Sequence, residues 1–390
     1  MLLIVPLVLC LFSLFYLAVS LNSKRIRTRE DFFPPVSVIS WFWKDGNIVE
    51  RKIKNFLSMD YPGKYEIIII DNCSNDETRK ICEKYAKKGL IKYYRADREY
   101  DRKAITLDYA IRNVAKYPFL AMTDPDGVCE KDWLKKIVEP FKKERVGAVI
   151  GLTHSGNFSK NLFAKLRAVE DEWFYVISVL GRRGEKDVNL VCGANYAVRR
   201  SALKSVGYHG KKSLGEDFEL TIKLYDKGWR VGIADAGVWQ EEVETLGEYY
   251  RQRLRWQDNG MEVLYYYARN IMRIMKNDFF GFLSFLMTYL ITFFSSLYVL
   301  MMIFGFFYSI SYFVFGLLGW VILNLSLILG LRKFGRGYLS YCVPIFLLTE
   351  PYLIAFIQII VTALKVTGMK VKWRSLHDGY YHAGTRIVMK

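Results

Sequence analysis

Tyr65-Glu66-Ile67-Ile68-Ile69-Ile70-Asp71-Asn72-Cys73-Ser74-Asn75-Asp76 and, further along, Phe119-Leu120-Ala121-Met122-Thr123-Asp124-Pro125-Asp126-Gly127 share one plan. Each is a short apolar run that ends at a carboxylate and passes into a polar turn. Runs of this length read as strands buried on both faces. Similar runs at 36–40, 91–95 and 146–152 alternate with helical patterns at 48–59, 77–87, 103–114 and 131–141. The alternation predicts an α/β domain over 33–245, with a mostly parallel sheet covered on both faces. Such sheets bind ligands beyond the carboxyl ends of their strands, which places Asp71 and Asp124 on the binding edge.

Outward from that domain the chain turns apolar. Residues 1–23 carry no charged side chain and are long enough to span a bilayer. Lys24, Arg25, Arg27 and Arg29 follow immediately, which predicts an uncleaved anchor with the next domain in the cytoplasm. Residues 246–276 mix tyrosine, arginine and tryptophan in a long helical pattern suited to a membrane interface. No charge appears between Asp278 and Arg332, room for two spanning helices, with Gly316 and Gly319 as close-packing points. The membrane region over 279–364 ends in an apolar segment interrupted by Pro344 and Glu350-Pro351, which predicts a broken or re-entrant helix. A basic cytoplasmic tail, 365–390, completes the chain.

The net charge of +17 on 390 residues is distributed accordingly. Its basic runs flank apolar segments and fit an anionic leaflet; no nucleic-acid reader motif accompanies them, so nucleic acid is not an expected partner. The six cysteines form no C-x-x-C pair, and the four histidines lack zinc-ligand spacing. A bound metal should then be a hard cation on carboxylates.

Four pieces carry candidate chemistry. Asp124 and Asp126 can share a divalent ion, or divide between ion and ribose; a lone D-x-D is as readily a loop or cap. Asp71 and Asn72 face the crevice, with Trp41 and Trp43 as stacking surfaces for a base and Lys103 as a diphosphate contact at a helix start. Glu216-Asp217 opens a helix, where acids also suit the dipole, and Asp217 is the candidate general base with Glu216 in support. Gln252, Arg255 and Trp256 fall on one helical face, fit to clamp a leaving diphosphate and an acceptor sugar.

Together these motifs resemble the membrane-bound glycosyltransferases of family 2, inverting enzymes with a GT-A fold that include cellulose, chitin and hyaluronan synthases and ceramide glucosyltransferases. The resemblance implies an N-terminal anchor, a GT-A domain and several C-terminal transmembrane or re-entrant helices. It implies a nucleotide-sugar donor, a UDP-sugar, with Mg²⁺ or Mn²⁺ held chiefly by Asp126 and with Asp124 near the ribose. Asp71 and Asn72 would read the uridine, Lys103 would meet the diphosphate, and Asp217 would be the base. The expected protein is an integral enzyme of the cell membrane, with its catalytic domain cytoplasmic, that glycosylates a membrane lipid or a short glycan. A processive polysaccharide synthase and an inactive membrane scaffold are the alternatives. Three positions depart from the family pattern: Asn72 replaces a second Asp, Trp43-Lys44-Asp45 replaces Tyr-Asn-Glu, and Arg102 replaces a glycine before the lysine.

Overall fold

A computed structural model describes residues 4–27, 31–182, 188–210, 212–213, 215–289 and 291–369; most of the predicted tail lies outside them. Helix α1 (Ile4–Asn22) leads into a domain that begins β1 (Val36–Phe42), α2 (Val49–Leu57), β2 (Tyr65–Asp71), α3 (Thr78–Lys87), β3 (Lys92–Arg95), α4 (Lys103–Asn113) and β4 (Phe119–Thr123). It continues with β5 (Val128–Cys129), α5 (Trp133–Val138), β6 (Val146–Ser155) and α6 (Leu162–Asp171). A π-helical turn, Glu172–Ser178, joins α6 to the short α7 (Val179–Gly181). Then come β7 (Asn195–Arg199), α8 (Arg200–Ser205), α9 (Glu216–Asp226) and β8 (Arg230–Gln240).

The strands form one sheet in the order β3-β2-β1-β4-β7-β6-β8-β5. The half from β3 to β4 is parallel, as the βα alternation predicts. The other half is mixed: β7 runs antiparallel to β4 and β6, and β5 antiparallel to β8. This corrects the mostly parallel expectation. Strand β7 escaped the sequence reading because Gly193 and Asn195 break its apolar run.

Successive strand side chains point to opposite faces, and the isoleucine run of β2 shows it directly. Ile68 and Ile70 enter one apolar cluster with Leu107 and Ile111 of α4. Ile67 and Ile69 enter a second with Val49, Ile53 and Phe56 of α2 and Leu134 of α5. The first cluster continues into the apolar helices, including Phe12 and Tyr16 of α1.

Beyond β8 lie α10 (Leu246–Asn277), α11 (Phe279–Tyr289), α12 (Ile291–Tyr308), α13 (Ile310–Lys333) and α14 (Val343–Val366). Thr245 and Glu248 start α10 with a reciprocal capping box, and Tyr267 kinks it. Among the described residues, three segments are long and apolar enough to cross a membrane: Val5–Asn22, Ile310–Lys333 and Gly337–Val366. Helices α1, α12 and α13 pack as a bundle. Ser13 Oγ donates to the Gly319 carbonyl at 2.8 Å and Tyr298 Oη to that of Leu9 at 2.5 Å. A Cβ on Gly319 would stand 2.4 Å from the Tyr298 ring, and one on Gly316 would stand 3.0 Å from Met302, so both glycines admit close packing.

The predicted break at Glu350-Pro351 does not occur, because α14 is one continuous helix through Pro351. The Glu350 carboxylate meets Arg167 Nη1 at 3.4 Å and the Tyr249 hydroxyl, so it needs no water-filled path. Pro344 sits at the start of the helix, where an N–H would have no helical partner.

Candidate active site

The carboxyl ends of β1 and β4, the start of α4, the loop before β7, the start of α9 and one face of α10 surround a single cavity of about 850 Å³. Trp41, Trp43, Lys103, Asp124, Asp126, Glu216, Asp217, Gln252, Arg255 and Trp256 all line it. Ten of the twelve site residues named from sequence therefore share one space. Asp71 and Asn72 are not among its lining residues.

Asp71 is fully buried. Its carboxylate accepts from Ser74 N at 2.8 Å, Tyr93 Oη at 2.6 Å and Arg95 Nη1 at 3.0 Å. Asn72 pairs with the Tyr100 backbone in both directions, at 2.9 and 3.1 Å. The two side chains thus build the turns after β2 and β3. Those turns reach the cavity through Lys44, whose N–H donates to Ser74 Oγ at 2.9 Å. Lys44 takes a positive φ of 59°, a left-handed turn that ends the β1 extension carrying the two tryptophans. Trp41 is fixed by its Nε1, which donates to Thr106 Oγ1 at 2.7 Å.

Lys103, at the first turn of α4, joins the two acidic motifs. Its Nζ lies 2.6 Å from Asp124 Oδ1 and 4.0 Å from Glu216 Oε1. Burial alone would lower the lysine pKa, but the Asp124 and Glu216 carboxylates outweigh it and hold the ammonium well above its usual range. Burial pushes Glu216 up to about 7, helped by Asp217 and opposed by Lys103. Asp217 Oδ2 accepts from Gly193 N at 2.7 Å and its Oδ1 from Phe218 N at 2.8 Å. Gly193 is a site residue that motif reading missed. A Cβ there would stand 3.1 Å from Asp217 Oδ2, so glycine lets the backbone approach the carboxylate.

Asp126 is held just past the end of β8, where Glu241 N donates to its Oδ2 at 3.0 Å. Arg51 bridges the Asp126 carbonyl (3.1 Å) and Glu241 Oε1 (3.0 Å), while buried Lys52 donates to the Gly127 carbonyl at 2.5 Å. Nothing in the sequence pairs α2 with this loop; only the sheet order does. Among the described residues, no group of three or more His, Cys, Asp or Glu side chains is arranged around a common metal position. Two carboxylates in a cavity still suit Mg²⁺ or Mn²⁺, which keep coordination places for phosphate oxygens and water.

On α10, Arg253 lies between the clamp residues and is buried. Its Nη2 meets Glu170 Oε1 at 2.6 Å, and its guanidinium sits 4.2 Å from the Trp256 ring centroid. Glu170 and Asp171 end α6, and Arg167 on the same helix binds Glu170, Asp171, Glu242 and Glu350. Burial, with the neighbouring Glu242 carboxylate, raises the Asp171 pKa strongly against the pull of Arg167. Trp173, Phe174 and Tyr175 of the π-helical turn add an aromatic wall. Farther out the lining becomes apolar, with Ile271 and Ile274 of α10, Phe282, Phe285 and Leu286 of α11, and Phe346 and Ile354 of α14.

The family model described as "Glycosyl transferase family 2" matches residues 37–207. The Bacillus subtilis (strain 168) protein named "Probable glycosyltransferase YdaM" is 27% identical over 288 residues, 72% of this chain and 68% of its own. The poly-beta-1,6-N-acetyl-D-glucosamine synthase of Staphylococcus epidermidis is 30% identical over 237 residues, 59% of this chain and 55% of its own. The match thus spans a little over half of that synthase. Among solved structures, a mannosyltransferase of Pyrobaculum calidifontis, in complex with GDP-Man and Mn²⁺, superposes with a TM-score of 0.53 at 16% identity. That superposition covers 89% of this chain and 94% of the other, and establishes the GT-A-like fold.

Proposed function

We propose, for a chain that carries a glycosyltransferase family 2 domain, transfer of a sugar from a nucleotide diphosphate, a UDP-sugar, to an acceptor that arrives from the membrane. The observation that carries the reading is the continuity of the cavity. Strand-end carboxylates, the Lys103 ammonium, the Glu216-Asp217 pair and the α10 clamp line one end, and apolar side chains of α11 and α14 line the other.

In this reading Trp41 and Trp43 flank the nucleobase, and the loops built by Asp71 and Asn72 shape the uridine end. Lys103 and Arg255 bind the diphosphate oxygens. Asp126, with Asp124 beside it, would hold Mg²⁺ or Mn²⁺, whose chemistry is to offset the charge that gathers on the leaving diphosphate. Asp217 accepts the proton of an acceptor hydroxyl. The hydroxyl oxygen then bonds to the anomeric carbon from the side opposite the diphosphate, whose C–O bond breaks and takes the bonding pair. One displacement inverts the anomeric configuration. Glu216 shapes the field around Asp217, and Gln252 and Trp256 hold the acceptor. The catalytic domain lies on the cytoplasmic side, as the charges after α1 imply.

The purified full chain in lipid, given a panel of labelled nucleotide sugars, tests the reading by the size and configuration of its product. A single sugar on a lipid supports it. Failure to hydrolyse or transfer any nucleotide sugar would refute it in favour of a scaffold. A long polymer would favour the second reading, a processive synthase, to which the similarity with poly-N-acetylglucosamine synthases points.

A further inference from the structure

Helices α13 and α14 each have 24 residues and are comparably apolar. Length and composition alone make both membrane spans. Their partners differ. Among the described side chains, Val343, Phe346 and Leu347 in the first two turns of α14 share a cluster with Tyr298, Leu323 and Leu327 of the bundle, and α14 packs against α12 as well as against α10. Its later turns leave that cluster. Leu353, Ile354, Ile357, Val361 and Leu364 pack with Tyr249, Tyr250, Leu254 and Met261 of α10, in a separate cluster that holds no bundle residue among those described.

Polar contacts fix the same register. Glu350 meets Tyr249, Gln358 Nε2 reaches Met261 Sδ at 3.2 Å, and Lys365 Nζ pairs with Asp258 at 2.6 Å and Glu262 at 3.2 Å. From residue 350 to residue 365, α14 thus runs parallel to α10, over roughly 22 Å at 1.5 Å per residue. Helix α10 is in turn pinned to the catalytic domain along its length. Arg253 binds Glu170, Tyr267 Oη donates to Glu219 at 3.1 Å, Asn270 to Asp226 at 2.9 Å, and Asp278 pairs with Arg230 at 2.5 Å. A helix that lies on a water-soluble domain from end to end does not descend through a bilayer, and neither does its parallel neighbour. Yet the outward face of α14, with Ile345, Leu348, Phe356, Ile359 and Val366, is exposed and apolar. A face of this composition, continuous with the α1–α12–α13 bundle, fits the boundary between lipid headgroups and acyl chains.

We propose that α14 is an interface helix and not a membrane span: it lies on the same leaflet as α10, and its outward face is seated in lipid. The inference rests on the reading that the chain is membrane-bound. It places Glu350 outside the hydrocarbon core, where a carboxylate is costly. It also makes Phe346, Ile354 and Gln358 a wall of the cavity at the level of the membrane surface, so that the acceptor enters between α10 and α14. The chain after α14 then stays on the side of the catalytic domain without a re-entrant turn.

Depth measurements decide the matter. Nitroxide labels on Leu348→Cys and Ile359→Cys, in the full chain reconstituted in bilayers, should lie within a few ångströms of one depth, both at the headgroup boundary. A span would separate them by about 16 Å, at 1.5 Å per residue. That separation, or two labels open to a water-soluble relaxant, would overturn the proposal. The unsubstituted chain with a C-terminal epitope supplies a second test that needs no folding of variants. In sealed vesicles, protease should reach the epitope and the catalytic domain from the same side, and access from opposite sides would overturn the proposal. A chain that washes off membranes without detergent would instead refute the membrane reading beneath it.

Discussion

Asp71 and Asp124 begin as equivalents: each closes a central, parallel, apolar strand at the same edge of one sheet. Their surroundings then diverge. The strand beside Asp71 is β3, and it delivers Tyr93 and Arg95 to the carboxylate, which is fully buried. Asp124 has the Lys103 ammonium at 2.6 Å and an open cavity in front. A carboxylate at a strand end is thus an opportunity, and the neighbouring strand decides whether it is spent on a turn or kept for a ligand.

The comparison can be broken or sharpened by experiment. The largest effect should come from the open side. Asp217→Asn is expected to lower turnover by roughly 10²–10⁴-fold with nucleotide binding nearly intact, as loss of a general base does; single-turnover rates beside nucleotide titration check it. Next, Asp126→Ala should weaken donor binding as well as rate, and excess chelator should stop the wild-type enzyme. Full turnover in chelator would remove Asp124 and Asp126 from any metal role.

Asp71→Ala should act differently. It strands three donors, the Arg95 guanidinium among them, and should lower stability by about 3 kcal/mol in denaturant unfolding. The folded fraction should still bind nucleotide. Normal stability with lost nucleotide binding would erase the distinction and make Asp71 a direct reader of the base. On the wall proposed for the acceptor, Trp256→Ala is expected to slow transfer to the native acceptor about tenfold while sparing hydrolysis of the donor by water. Equal loss of both would show that Trp256 holds up the donor end.

A further effect concerns pH. Glu216 rises from its ordinary 4.5 to about 7 in the folded chain. A carboxyl raised in this way keeps its contribution to stability below pH 4.5 and loses it as the pH climbs through 7, by roughly 3 kcal/mol at 1.36 kcal/mol per unit. Unfolding measured across that window should show the decline, and Glu216→Gln should flatten it.

Much of this was legible in the chain. The bounds of β2 and β4 fall where the apolar runs stop, because period and composition are local signals. Lys103, Asp124 and Asp217 stood out because each lies at the start or just past the end of an element, and Trp256 because it shares a helical face with Gln252 and Arg255. Gly193, Arg51, Lys52 and Arg253 were missed. Their roles depend on partners far along the chain, such as Asp217 for Gly193 and Glu170 for Arg253. The break at Pro351 was over-read because a buried carboxylate in an apolar helix has two remedies, water or an arginine, and Arg167 arrives from 183 residues away.

By itself, the sequence determined the α/β alternation, the order of the chemical motifs and the apolar ends, since each is written within a few turns of chain. Tertiary structure alone decided which strand-end carboxylates face the cavity, how Lys103 joins Asp124 to Glu216, and what α14 rests on. Burial, pairing and depth depend on contacts between distant segments, and the local pattern of a segment does not encode its neighbours.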